Sequence, residues 1–99
     1  MSLPSASRCA EVHSPNKRRM TDSERDHVQR IKSMPCACCT TPGPSEAHEI
    51  EQGKWFLSIP LCPTCHRGNG GMHGTKVHLR VRKVTELSML NETYRMLVP

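Results

Sequence analysis

Ninety-nine residues, with 14 Lys and Arg against 9 Asp and Glu, carry a formal charge of +5; a chain of that size makes one small domain that buries only a modest share of its surface. One Phe, one Trp and one Tyr leave few large side chains for a core, so the six cysteines are the natural reinforcement, as metal ligands or as disulfides. No run approaches the ~20 apolar residues of a membrane span, and MSLPSASRCAEVHSP lacks the apolar stretch of a secretory signal.

The expectation is therefore a cytoplasmic protein with no membrane partner, in which thiols stay reduced and paired cysteines hold zinc. The positive balance favours a polyanionic partner, nucleic acid first. Its basic residues gather at Lys17 to Arg19, Arg25 to Lys32 and Lys76 to Lys83.

In chain order, residues 1–20 are rich in Ser and Pro without apolar periodicity and read as a disordered basic tail. Cys9 and His13 lie four apart within it but have no second pair to complete a metal site. Thr21-Asp22-Ser23-Glu24 is a capping box. It predicts a helix from about Asp22 to Ser33, with Val28 and Ile31 on its inner face and Pro35 as its stop. After the first cysteine cluster, TTPGPSEAHEIEQGKWFLSIPL predicts two short strands in a hairpin around Gln52-Gly53, with Ala47, Ile50, Trp55, Leu57, Ile59 and Leu61 as apolar members. Cys62 to Arg67 opens a short helix, with Pro63 acceptable in its first turn, and Gly68, Gly70 and Gly71 keep it short. Val77, Val81 and Val84 lie at helical spacing. From Thr85 a clearer helix follows, with Leu87, Leu90, Tyr94 and Leu97 as its apolar stripe and Met89, Thr93 and Met96 flanking.

The cysteines carry the most specific signal. A structural zinc ion takes four N or S ligands in a tetrahedron, and a Cys-x-x-Cys turn supplies two thiolates. Cys36 with Cys39, and Cys62 with Cys65, both have that spacing, and 22 residues separate the pairs. The expectation is a structural Zn²⁺ held by Cys36, Cys39, Cys62 and Cys65. Cys38 is then an extra thiol, one residue from a ligand, and reads as a small buried hydrophobe.

The order MPCACC (34–39), EAHEI (46–50), IPLCPTCHRGNGGMHG (59–74) and TELSMLNETYRML (85–97) resembles HNH endonucleases of the ββα-metal, or His-Me finger, fold. It is most similar to small phage and prophage nucleases of the recombination-enhancing, RecA-dependent type. The resemblance covers roughly residues 22–97. It implies a small α+β, zinc-stabilised ββα-metal core with flanking N- and C-terminal helices, and a nuclease domain over residues 21–99. The implied activity is hydrolysis of DNA phosphodiester bonds with a divalent cation (Mg²⁺, Mn²⁺, Ni²⁺ or Zn²⁺) and no small-molecule cofactor. DNA and a RecA-type recombinase filament are the implied partners.

Residue by residue, the resemblance makes His48 the general base, whose imidazole titrates close to neutral pH. His66 becomes a ligand of the catalytic cation, His73 its second ligand, and Arg67 a contact to the scissile phosphate. The residue before the base is Ala47, where many members carry an Asp or His ligand. Glu46, which shares a strand face with His48, is the carboxylate placed to assist the cation. The rival readings are a non-catalytic zinc-ribbon DNA-binding or adaptor module and a protein-interaction ribbon without nucleic acid.

Overall fold

The computed structural model describes residues 19–98; almost all of the basic tail, with the Cys9 and His13 pair, lies outside the described residues. The first helix, α1 (Asp22–Lys32), begins at the expected capping box. Thr21 Oγ1 accepts from the Glu24 N–H at 3.1 Å, and Glu24 Oε1 accepts from the Thr21 N–H at 2.7 Å. Val28 and Ile31 are buried as predicted, and Ser33 caps the helix. The exit is tied to the sheet: Ser45 donates its N–H to Lys32 O and its hydroxyl to Met34 O, both at 2.7 Å.

Strands β1 (Glu46–Glu49) and β2 (Ser58–Leu61) pair antiparallel, Glu46 opposite Leu61 and His48 opposite Ile59. Trp55 and Leu57, expected on the second strand, lie before it. Residues 50–57 are wound into successive turns, with Gly53 at φ 87°, Lys54 N–H donating to Glu51 O and Leu57 N–H to Lys54 O. That winding consumes the residues a tight hairpin would have paired. Every residue of β2 is buried, and its outer edge is closed by the Ala37 N–H, which donates to Pro60 O at 2.8 Å. An unpaired strand edge is a liability in a small fold, and here the first cysteine turn covers it.

Three helices follow: α2 (Pro63–Arg67), α3 (Val77–Arg82) and α4 (Glu86–Leu97). The result is a small α+β fold in which α1, α2 and α4 pack against one two-stranded sheet. None of these helices is long and apolar enough to cross a membrane. Ile59, Leu61, Met72, Leu79 and Met89 form the core together with Cys36, Cys38 and Cys65. A fully buried Ile or Leu contributes roughly 1.5–3 kcal/mol, and few large apolar groups face the ordering entropy of the chain. Cysteines therefore occupy the centre of the core, where their cross-linking by a metal ion would reinforce it. Cys38 is buried in that core, as expected of an apolar filler.

The stripe on α4 is corrected by the structure. Met89 and Thr93 face inward, whereas Leu87 is 71 % exposed. Thr93 can be buried because its hydroxyl donates to Met89 O at 2.7 Å, leaving no unpaired donor. Residues 86, 89 and 93 share this face, so the same rotation turns Glu86 towards the sheet.

Candidate metal centres

The first centre is built by two cysteine turns. Cys36 Sγ accepts from the N–H groups of Cys38 and Cys39, each at 3.4 Å, and Cys62 Sγ accepts from the Cys65 N–H at 3.4 Å. The sulfur atoms of Cys36, Cys39, Cys62 and Cys65 all lie within 4.8 Å of one another. Cys39 Sγ and Cys62 Sγ are 3.7 Å apart. Two thiolates at zinc–sulfur bond length in a tetrahedron are separated by roughly 3.8 Å, far beyond the ~2.05 Å of a disulfide.

The electrostatics agree. Burial opposes ionisation of Cys39, yet hydrogen bonds from Thr41, Cys36 and Cys62 bring its thiol down to about 6. Burial pushes the Cys62 thiol up, and burial together with Cys62 and Cys36 pushes the Cys65 thiol far above its usual range. Thiolates packed this closely repel one another unless a cation lies among them. The four cysteines named from spacing are therefore together, and their donor set can hold a zinc ion.

The second group stands on the other side of α2. His48 comes from β1, His66 follows the last cysteine on α2, and His73 sits in the glycine-rich loop beyond. That loop folds back along α2: Met72 N–H donates to Cys65 O at 2.7 Å and His73 N–H to His66 O at 3.0 Å. Gly71 permits the approach, since a Cβ there would lie 2.5 Å from Cys65 O and 2.6 Å from Thr64 O. The consequence is a triangle of imidazoles. His48 Nδ1 is 3.3 Å from His66 Nε2, and His73 Nε2 is 3.1 Å from that same atom.

Two carboxylates fix the outer ring nitrogens. Glu46 Oε1 lies 2.8 Å from His66 Nδ1, and Glu86 Oε2 lies 2.7 Å from His48 Nε2. Hydrogen bonds from Arg67, then from His66, hold the Glu46 carboxyl down to about 2, so it is ionised at neutral pH. An ionised carboxylate only accepts, so His66 Nδ1 donates to Glu46, and Glu86 Oε2 offers an acceptor of the same kind to His48 Nε2. With those protons outward, the inner nitrogens of His48 and His66 face each other at 3.3 Å. A cation, or a proton shared between the rings, can bridge that contact.

Nitrogen ligands at zinc-type distances, with 90° to tetrahedral angles between them, are roughly 2.8–3.4 Å apart. The observed separations fall in this range. Burial first, and then the neighbouring His66 and His48, hold the His73 pKa below its ordinary value, which favours the neutral ring that can coordinate. The three residues therefore fit a cation. Histidine ligands backed by carboxylates are the usual outer architecture of such sites.

The structure thus brings His48, His66 and His73 to one place and sets two other expected site residues behind them. Glu46 binds the outer nitrogen of His66 and stands outside the triangle of inward nitrogens. Arg67 spends Nε and one terminal nitrogen on Glu46, with Nε at 2.9 and 3.1 Å from the carboxylate oxygens. Its side chain remains 63 % exposed beside His66. Glu86 was missed by sequence reasoning, because an acid in the first turn of a helix already has an ordinary explanation in the helix dipole. The chain matches no protein-family model, no curated protein and no solved structure.

Proposed function

We propose that the chain is a metal-dependent endonuclease of the HNH, ββα-metal type that hydrolyses DNA phosphodiester bonds. The observation that carries this reading is the triangle of His48, His66 and His73, with carboxylate-fixed tautomers, on a strand, a helix and a loop in the order of that motif. The positive charge of the chain supports a phosphodiester substrate. His66 and His73 would hold the cation, each through Nε2. Bound there, a divalent cation supplies positive charge to the phosphate and the leaving oxygen.

The remaining chemistry belongs to the chain. His48 presents its bare Nδ1 to the site and takes the proton of the attacking water, while its Nε2–H stays on Glu86. The carboxylate of Glu86 then faces an imidazolium and stabilises it. Arg67, held in place by Glu46, offers its charge beside His66 to a phosphate oxygen. Basic residues of α1 and of the segment Arg80 to Lys83 contact flanking phosphates without reading sequence.

The test incubates plasmid DNA with the zinc-loaded full chain and Mg²⁺, Mn²⁺, Ni²⁺ or Zn²⁺, with His48→Ala in parallel. Nicking by the wild type that falls by about 10²–10⁴-fold in the variant is expected of a lost general base. If both proteins shift DNA and neither nicks it, the chain is a non-catalytic zinc-ribbon DNA-binding or adaptor module.

The 3.3 Å approach of His48 Nδ1 to His66 Nε2 also suits a second reading, in which His48 is a third ligand. His48→Ala separates the two roles. A base loses hydrolysis and leaves the second cation bound, whereas a ligand loses both.

A further inference from the structure

We infer that Glu86 is a positioning residue for His48, fixing the tautomer that makes Nδ1 available to the histidine triangle. The inference deepens the proposed function and rests on it for its kinetic consequence only. His48 is nearly enclosed, with 7 % of its side chain exposed, so water has little access to its outer nitrogen. Glu86 Oε2, at 2.7 Å from Nε2, is the partner that nitrogen has in the structure. A neutral imidazole carries one proton, and placing it on Nε2 empties Nδ1. Without an acceptor at Nε2 the proton is free to sit on Nδ1, where it would point at His66 Nε2 and occupy the centre of the site.

Glu86 is delivered by the fold. The capping box of Thr85 and Ser88, at 3.1 and 2.8 Å, starts α4 at this point. Burial of Met89 and Thr93 on the same helical face sets its rotation. Glu46 plays the matching part for His66 from within the motif region. Glu86 does so from a helix 38 residues away from its histidine in sequence, which makes the site depend on docking of the C-terminal helix.

The experiment records two-dimensional ¹⁵N–¹H spectra of the His48 imidazole in the zinc-loaded full chain without a second metal. They compare wild type, Glu86→Gln and Glu86→Leu, with nicking rates measured alongside. Wild type is expected to show His48 wholly as the Nε2–H tautomer. Glu86→Gln, whose amide oxygen can still accept, keeps most of that tautomer. Glu86→Leu shifts His48 to a mixture or to Nδ1–H, and lowers kcat by about 10–100-fold with KM little changed, the usual effect of losing such an outer partner.

An unchanged Nε2–H tautomer in folded Glu86→Leu would overturn the inference; so would a wild-type His48 already protonated on Nδ1. Should Glu86→Leu not fold, the wild-type spectrum still decides, because a His48 protonated on Nδ1 beside the Glu86 carboxylate contradicts the assignment. A tautomer shift in a protein whose wild type cuts no DNA supports the role of Glu86 and removes the nuclease reading.

Discussion

The two clusters on either side of α2 use the same device, side chains from separate elements converging on one point, and differ in what surrounds them. The sulfurs of Cys36, Cys39, Cys62 and Cys65 are largely buried and continuous with the core, and those of Cys36 and Cys62 accept from backbone N–H groups. Across the histidines burial falls in steps, from enclosed His48 through part-buried His66 to exposed His73. Closed, four-ligand sites are structural, whereas sites that keep a position open can admit a substrate. Cys65 and His66 are neighbours on one short helix, so the closed centre holds in place the residue that the open one needs.

If that division is right, damage to the closed centre should abolish both, and damage to the open centre should leave the fold. The largest effect is expected from Cys65→Ser or from a strong chelator. Structural zinc in small domains is worth about 10–16 kcal/mol near neutral pH, comparable with the ~5–15 kcal/mol total stability of a domain. The cooperative thermal transition should disappear. The triple variant His48→Ala, His66→Ala, His73→Ala should retain that transition, and its unfolding along with the cysteine variant would break the comparison.

A smaller and more local effect is expected at the start of α4. Thr85→Ala removes the cap and should cost about 1 kcal/mol in urea denaturation. Because the first turn carries Glu86, affinity for a second metal should weaken, while the zinc content of the cysteine centre stays the same. Isothermal titration with Ni²⁺ measures the affinity and atomic absorption the zinc content, before and after the substitution.

The smallest effect is a pH dependence in the packing between α1 and α4, remote from both centres. Burial, and then the nearby Arg30, hold the His27 pKa below its ordinary 6.5. Its ring stacks on Tyr94 with centroids 5.9 Å apart and tilts against Phe56 at 5.2 Å. The folded state resists protonation more than the unfolded chain does. The stability that neutral His27 contributes is therefore present above pH 6.5 and lost as pH falls through that value towards the lower folded pKa. Urea midpoints should fall between pH 8 and pH 5.5, and His27→Leu should flatten the decline; an equal fall in the variant would remove His27 as its cause.

The legible parts of the sequence were those governed by short-range rules. The capping box at Thr21, the two Cys-x-x-Cys turns and the short helix opened by Pro63 follow from local chemistry, and all appear where the residues place them. What depended on tertiary rotation was not legible. The apolar count on the last helix pointed to Leu87, but packing selected Met89 and Thr93, because a threonine bonded to its own helix can be buried. Glu86 went unread for the same reason, since its meaning lies in that rotation. Glu46 was read as helping to hold the cation, and in the structure its oxygens bind Arg67 and the outer nitrogen of His66.

Whether the cysteine and histidine clusters hold two non-equivalent metal ions is tested most directly by cobalt substitution. Co²⁺ titrated into the metal-free chain should refold it and fill two sites. The first gives intense thiolate-to-metal charge-transfer absorption, and the second adds only weak ligand-field bands. In the His48→Ala, His66→Ala, His73→Ala variant, the first should survive unchanged and the second should vanish. A single equivalent in the wild type, or two equivalents in the variant, would contradict the account.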